Sequence, residues 1–421
     1  MNRVTAALLA ALIFLVALNL RPAIAAIGPV LTRIGDDLGW GESVLGILSA
    51  MPLWAFALVS PLVRFVTARI GADRTILAAL LVLAVGDVTR SFGGPAGIWL
   101  GTVAVGAGIA AGNVLVPVIA KRDYADHVSM ATGVYSACIT TGSAIAGLTA
   151  SPLAVALGGW RPALAVWAVP PLIVALLWLM RVRRERTTVM TRPAAIAENQ
   201  RVAGEPAAGK TTAGESADNP GPALSVSDHA SIEDRPLWRR PMTWYVTLFM
   251  GLQSAAFYTM SNWLPSVVVN AGFTDSVAGV HLFVFQSLGI LSGLLIPALM
   301  RVRGNQVCAA MTASVPMVVA GFGWMLLPRL SLLWSVIGGM GQGAALVVAL
   351  TLISLRGRTS AETVALSGMA QSIGYLLASI GPLAFGTLAE LSGGWTAPLI
   401  LFTALAATQC VIAVFAGRER V

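Results

Sequence analysis

Arg21 is the side chain with the clearest capacity for binding chemistry. It is the only charged residue in the apolar run 6–31, and about 20 apolar residues are enough to span the hydrocarbon core of a bilayer. A guanidinium near the middle of such a run is costly unless it faces a wet cavity or a polar partner. Its planar fork suits a small anion, a carboxylate or a nitro group. We interpret Arg21 as the electrostatic centre of a binding cavity; the alternatives are an arginine that extends to the membrane interface and one that locks its helix to a neighbour.

Asn19 lies two residues before Arg21. On a continuous helix this separation is about 200°, so the two side chains cannot face the same cavity. We therefore expect Asn19 to bond a neighbouring helix.

The apolar run 243–270 carries a second group of polar side chains. Ser254, Tyr258 and Asn262 are spaced four apart and would share one face of a helix, and Gln253 lies next to the first of them. Such a stripe favours a cavity, although a polar neighbouring helix would also explain it. These four residues are predicted to contact a bound solute.

Four weaker candidates for the same cavity are Asn113, Trp263, Gln342 and Gln371. Trp263 is equally compatible with a wall of the site and with an interfacial aromatic belt. Gln342 lies in the run Gly338-Gly339-Met340-Gly341-Gln342-Gly343, where close helix packing is the favoured reading. Gln371 and Tyr375 are four apart on one predicted helix, and hydrogen bonding between helices would explain them as well as a cavity.

Asp87 and His281 are the candidates for handling protons, because they are the only carboxylate and imidazole well inside apolar runs. The pKa values of such groups move readily with their surroundings. Asp87 is one turn from Arg90, so an ion pair within the helix is the ordinary alternative. For His281 the alternative is a structural hydrogen bond.

The composition identifies the class of protein before any motif does. The chain has 421 residues, of which 57% are hydrophobic and only 11% charged, whereas soluble domains carry about 25% charged residues. The net charge of +8 does not come with a nucleic-acid-binding pattern, so no nucleic acid is expected as a partner. Cys138, Cys308 and Cys410 all lie in apolar runs, which argues against disulfides, a metal site or another cofactor.

Twelve apolar segments predict twelve membrane helices. Their approximate ranges are 6–31, 43–66, 75–93, 96–120, 128–156, 160–180, 243–270, 276–300, 306–327, 330–355, 364–389 and 395–417. The first segment resembles a signal peptide, but its length and Arg21 favour a retained helix. The stretch between the sixth and seventh segments has too few apolar residues to order itself. We therefore predict an N-terminal bundle over 1–181, a disordered linker over 182–240 and a C-terminal bundle over 241–421.

Basic residues determine the predicted orientation. With both termini on the inner side, the outer side carries only Arg33, Arg90, Arg161 and Arg329. Nearly all other Lys and Arg residues fall in inner loops, as the positive-inside rule requires. Both termini and the 182–240 linker are therefore predicted to be cytoplasmic.

The two halves resemble each other in sequence. Gly133 to Trp160 has the same separation as Gly368 to Trp395, and both stretches end in Gly-Gly-Trp. Two six-helix repeats in the same orientation predict an all-α integral membrane protein built from two pseudo-symmetric bundles, with a site between the halves. If the halves pack in this way, helices 1, 4, 7 and 10 line the central cavity.

Four stretches resemble the cyanate/2-nitroimidazole (CynX/NimT-like) family of the major facilitator superfamily. They are residues 18–23 with 28–31, 112–117 with 121–123, 159–161, and 246–254. The resemblance covers both halves and omits the linker and the C-terminal tail. The superfamily's usual loop between helices 2 and 3 is only partly present, since Arg69 and Gly71 fit the pattern while Ala68 replaces its acidic residue.

This resemblance implies a secondary carrier of the bacterial inner membrane that moves a small anion such as cyanate, or a nitroimidazole-like compound. A proton-coupled drug exporter is the alternative. Neither a catalytic cluster nor a folded output domain is visible, so a membrane enzyme and a sensor are disfavoured. We expect a monomer whose partners are the solute, the lipid bilayer and protons.

Overall fold

The computed structural model describes residues 3–124, 127–183, 236–300, 306–357 and 360–418, and this part of the chain contains helices and no strand. Eleven of its helices are long and apolar enough to cross a membrane. The one predicted span that is not among these eleven is the seventh, Pro241–Asn270, a helix of 30 residues that is richer in polar side chains. The predicted all-helical membrane fold is thus confirmed, with one helix that differs in character from the rest.

We number the long helices in chain order. The N-terminal half contains α1 (3–38, in four segments), α2 (Glu42–Ile70), α3 (Ala72–Phe92), α4 (Gly94–Asp123), α5 (Val128–Ala156) and α6 (Trp160–Arg183). The C-terminal half contains α7 (Pro241–Asn270), α8 (Asp275–Met300), α9 (Val307–Leu326), α10 (Ser331–Arg356), α11 (Ser360–Ser392) and α12 (Thr396–Gly417). Helix α6 continues through Val182 and Arg183, and residues 184–235 of the predicted linker lie outside the described residues.

The helices pack as two bundles that meet along a shared interface. Within the halves, α3 packs on α4 and α9 packs on α10 and α12. Between the halves, α2 packs on α11, α5 on α8, and the second part of α1 on α7. We call the face on which α1 begins and α6 and α12 end the terminal face, and the opposite face the distal face.

The halves touch near the distal face, and two glycines nearer the terminal face border open space. Gly46 of α2 lies against the backbone of Pro382 and Leu383 on α11, and Gly147 of α5 lies against the Leu282 side chain on α8. Nearer the terminal face lie Gly133 of α5 and its repeat counterpart, Gly368 of α11. A methyl group added at either position would contact no other atom. Both of these positions therefore border open space rather than a neighbouring helix.

Helix α1 is broken where the predicted binding residue lies. Its segments are Arg3–Leu18, Pro22–Ala25, the 3-10 turn Gly28–Val30 and Leu31–Leu38. Pro22 has no amide hydrogen for the Leu18 carbonyl, and a residue before proline disfavours helical backbone angles. Arg21 accordingly has φ of −125° and ψ of −24°. The break turns the chain at Arg21 and separates it from the helix that precedes it.

Candidate functional site

The break in α1 is held open by close packing with α5. Gly142 of α5 lies so near the Leu18 carbonyl oxygen that a Cβ at this position would overlap with it. The ring of Pro22 contacts the same glycine. A hydrogen atom at position 142 thus leaves room for the carbonyl that the proline has freed from the helix.

The guanidinium of Arg21 extends from this break onto two aromatic rings of α7. Its Cζ lies 5.2 Å from the ring centroid of Phe257 and 5.2 Å from that of Tyr258. Both distances fall within the range of cation–π attraction, which strengthens when the partners are shielded from water. Arg21 is half-buried, as is Phe257, whereas Tyr258 is fully buried.

Two further rings complete what we call the aromatic cluster, which consists of Phe56, Phe257, Tyr258 and Tyr375. Phe56 of α2 lies 5.4 Å from Tyr375 of α11 and 6.3 Å from Tyr258, measured between ring centroids. Tyr258 and Tyr375 are 6.4 Å apart. Four helices from both halves therefore surround the Arg21 guanidinium and its rings.

The positive charge of Arg21 has no counter-ion in the described part of the chain, where no carboxylate lies within ion-pair distance of it. The Nε atom of Arg21 is buried without a hydrogen-bond partner, and so is the Tyr258 hydroxyl. Buried polar groups are ordinarily paired because leaving them unpaired is costly. The Arg21 guanidinium and the Tyr258 hydroxyl therefore both have unused hydrogen-bond donors. A bound anion or nitro group would supply the acceptors for them.

Gln253, Ser254 and Gln342 bond to one another. Gln342 Nε2 donates to the backbone oxygen of Gln253 at 3.2 Å and to its Oε1 at 3.1 Å, while Gln253 Nε2 donates to Ser254 Oγ at 2.7 Å. This network joins α7 to α10 in a buried position. Gln342 Oε1 remains without a partner, so the network keeps one free acceptor.

Asn262 and Trp263 lie at the distal contact between the halves. Asn262 Nδ2 donates to the Tyr258 carbonyl at 2.8 Å, and the Asn262 backbone lies against Gly28 of α1. The Trp263 indole donates to the Pro382 carbonyl at 3.0 Å, and its ring packs 5.5 Å from that of Trp395. Trp263 is completely buried, so it has the environment of neither an exposed belt residue nor a partner of the Arg21 guanidinium.

Asn113 and Gln371 take different positions relative to Arg21. Asn113 is half-buried on α4 with an unpaired Nδ2, and the adjacent Gly112 packs against Leu20, the neighbour of Arg21. Gln371 Nε2 donates to Ser367 Oγ of its own helix at 3.0 Å. Asn113 thus lies at about the same depth along the helices as the break of α1, whereas the Gln371 amide forms a hydrogen bond within α11.

Both predicted proton-handling residues are buried and bonded. Asp87 forms the ion pair with Arg90, at 2.6 Å between Oδ1 and Nη2, and the two side chains are 0% and 1% exposed. His281 Nδ1 lies 2.7 Å from the Val277 carbonyl of its own helix, and its ring packs 5.3 Å from that of Phe273. His281 Nε2 is buried without a partner and is the free nitrogen of the ring.

Three features of the site differ from what the sequence suggested. Asn19 was expected to bond a neighbouring helix, and this is wrong: its Nδ2 donates to Leu15 O of the same helix at 2.8 Å. The expectation assumed a continuous helix, which Pro22 interrupts. Phe56 and Phe257 were not singled out, because an aromatic residue in an apolar run does not stand out from residues that face lipid.

Comparison with known proteins gives matches along nearly the whole chain. The profile of the Major Facilitator Superfamily matches residues 7–379. An uncharacterised transporter of Bacillus subtilis (strain 168), YycB, is 33% identical over 97% of this chain and 93% of its own length. The 2-nitroimidazole transporter of Escherichia coli (strain K12) is 31% identical over 97% and 95%, and the cyanate transport protein CynX of the same organism is 23% identical over 90% of each chain.

Solved structures share the fold at low sequence identity. A D-xylose–proton symporter superimposes with a TM-score of 0.72 at 15% identity, covering 96% of each chain. The nucleoside transporter NupG gives a TM-score of 0.72 at 11% identity, covering 97% of this chain and 99% of its own. These likenesses bear on the fold alone.

Proposed function

Since this chain belongs to the major facilitator superfamily, among carriers similar to the 2-nitroimidazole and cyanate transporters, we propose that it moves a small anion or a nitro-substituted heterocycle across the membrane by alternating access. The superfamily consists of transporters rather than enzymes. The solute binds between the halves and is released to one side when the cleft opens there. The open space beside Gly133 and Gly368 supports a state open to the terminal face.

The observation that carries the proposal is the uncompensated charge of Arg21 beside the aromatic cluster. A planar guanidinium can bind a carboxylate-like or nitro group through paired hydrogen bonds. The rings of Phe257 and Tyr258 beside Arg21 suit the packing of a flat heterocycle. The proposed ligands of this solute are Arg21, Tyr258 and Asn113. The amide groups of Gln253 and Gln342 and the hydroxyl of Ser254 supply polar contacts deeper between α7 and α10.

The test is uptake of radiolabelled cyanate and of a labelled 2-nitroimidazole into proteoliposomes by purified variants. Arg21→Gln removes the charge and should lose uptake of the transported solute at least tenfold, while Arg21→Lys keeps the charge without the fork and should retain weak uptake. The matched control is Arg64→Gln, because Arg64 is exposed and stacks only on its neighbour Phe65. A well-folded Arg21→Gln protein with unchanged solute affinity would refute the anion site.

A proton-coupled exporter of neutral drugs is the second candidate, and the aromatic cluster favours it, since four rings offer an apolar surface to a flat compound. The unpaired charge of Arg21 disfavours bulky cations as solutes. The anion carrier and the exporter can be distinguished with proteoliposomes that are loaded with a neutral nitroaromatic and then given a pH gradient of either sign. Gradient-driven extrusion without anion uptake would favour the exporter.

We propose His281 as the group that couples transport to protons, in preference to Asp87. His281 Nε2 and Asp87 Oδ2 are both buried without a partner among the described residues. The Asp87 carboxylate is held in an ion pair by Arg90, however, whereas the His281 ring is held only by the Val277 carbonyl of its own helix. His281→Gln should abolish concentrative uptake and spare exchange of preloaded solute. Unchanged pH dependence of uptake would remove His281 from the mechanism.

We propose that the terminal face is cytoplasmic and that the protein acts as a monomer in the bacterial inner membrane. The basic residues of the loops on that face support the orientation. A reporter that is active only in the cytoplasm should be active when fused after residue 201. A reporter active there only in the periplasm would reverse the topology.

A further inference from the structure

Beyond the break in α1, the backbone carbonyl of Ala23 lies outside the helical hydrogen-bond pattern. After Arg21 the chain resumes a helix, in which the Ala26 amide donates to the Pro22 carbonyl at 2.9 Å. The next amide, that of Ile27, donates three residues back to the Ile24 carbonyl at 3.2 Å. Because the hydrogen-bond spacing shortens here towards the following 3-10 turn, the Ala23 carbonyl receives no bond from the Ile27 amide. Ala23 is buried. An unpaired backbone carbonyl in such a place is costly.

Arg90 of α3 fills this gap. Its Nη1 donates to the Ala23 carbonyl at 2.7 Å, and its Nη2 donates to Asp87 Oδ1 at 2.6 Å. The side chain is among the largest that are fully buried in the protein. Close packing fixes the position of the Arg90 backbone, because Gly101 of α4 lies directly against the Arg90 backbone nitrogen. Arg90 thus reaches from a rigid pair of helices to a point two residues from Arg21.

We infer that Asp87 and Arg90 form a positioning pair that holds the break of α1 in shape and thereby directs the Arg21 guanidinium into the aromatic cluster. The effect of this positioning pair on transport rests on the proposed function, whereas its effect on the shape of α1 does not. The pair explains why two charges lie in an apolar stretch of α3. Asp87 neutralises Arg90 and fixes one nitrogen of the guanidinium, so that the other is aimed at the Ala23 carbonyl.

The experiment is hydrogen–deuterium exchange of the purified protein in detergent without solute, followed over the peptide that contains Ile24–Ile27. Arg90→Leu should accelerate exchange of these amides at least tenfold. The same variant should weaken binding of the solute transported by the wild type at least fivefold. The matched control is Arg122→Gln, which removes ion pairs of α3 and α4 at 2.7 and 2.9 Å with no contact to this break; it should leave the exchange unchanged.

A buried charge left alone can prevent folding, so a second variant keeps the test decisive. Asp87→Leu combined with Arg90→Met removes both charges and should fold, yet it still lacks the donor to Ala23 and should show the faster exchange. Native exchange rates over Ile24–Ile27 in this double variant would overturn the positioning pair. A failure of the proposed anion site would be seen separately. In that case Arg21→Gln would bind solute normally, while amide exchange over Ile24–Ile27 would still be faster in the Arg90 variants.

Discussion

The guanidinium of Arg33 lies 2.6 Å from the carboxylate of Asp275, and this ion pair joins the two halves at the distal face. Arg33 lies in the last segment of α1, Leu31–Leu38, and Asp275 begins α8, so the pair must break if the distal side opens. About a third of each side chain is exposed, and such pairs contribute about 0.2–1 kcal/mol. We expect Arg33→Ala to raise the population of the distal-open state up to about fivefold. Labelling of a cysteine introduced at Ser43 with a membrane-impermeant maleimide would measure it.

The control for this prediction is Arg161→Ala. Arg161 pairs with Asp37 at 2.8 Å on the same face, but both residues belong to the N-terminal half. Its removal should leave labelling at Ser43 unchanged. Exchanging the charges, with Arg33→Asp and Asp275→Arg together, should restore the wild-type labelling rate. If Arg33→Ala labelled no faster than the wild type, the ion pair would not hold the distal face closed.

Gly142→Ala should destabilise the protein, because the added methyl group would meet the Leu18 carbonyl at the break of α1. Overpacking of this kind costs about 1–3 kcal/mol, and we expect a lower melting temperature in detergent. Gly133→Ala on the same helix is the matched control, since its Cβ would enter open space. Equal melting temperatures for the two variants would contradict the close contact between α5 and α1.

Tyr258→Phe should weaken solute binding with little effect on folding. The Tyr258 hydroxyl has no hydrogen-bond partner among the described residues, so its removal breaks no bond to them, whereas a hydrogen bond to the solute is worth about 1 kcal/mol. We expect the dissociation constant to rise about fivefold and the melting temperature to stay constant. Tyr245→Phe serves as the control because Tyr245 stacks on Phe415, away from Arg21. An unchanged dissociation constant in Tyr258→Phe would exclude this hydroxyl from the site.

The sequence predicted the helices and the central arginine because both produce strong local signals. Apolar runs of membrane length identify spans, and the single charge within the first run singled out Arg21. The membership of the cyanate/2-nitroimidazole group is likewise confirmed by relatives that match both halves. Local signals of this kind depend only on residues that are neighbours in the chain.

The aromatic cluster and the contact between Arg90 and Ala23 could not be predicted in the same way. Phe56 and Phe257 come from different helices, and nothing in their own runs distinguishes a ring of this cluster from one that faces lipid. The Ala23 carbonyl becomes available only through the backbone geometry after Pro22. Asn19 was misjudged for the same reason, since its partner depends on where the helix breaks.

Helix α7 is more polar than the other membrane helices and is covered mainly by α11 and α12. The ribosome produces these two helices last, so α7 enters the membrane before they exist and before α10 supplies Gln342, the buried partner of Gln253. Polar side chains lower the tendency of a single helix to insert. We expect the seventh helix to remain loosely held during synthesis and to settle only when the chain is complete, which makes chains truncated before α11 targets for membrane proteases.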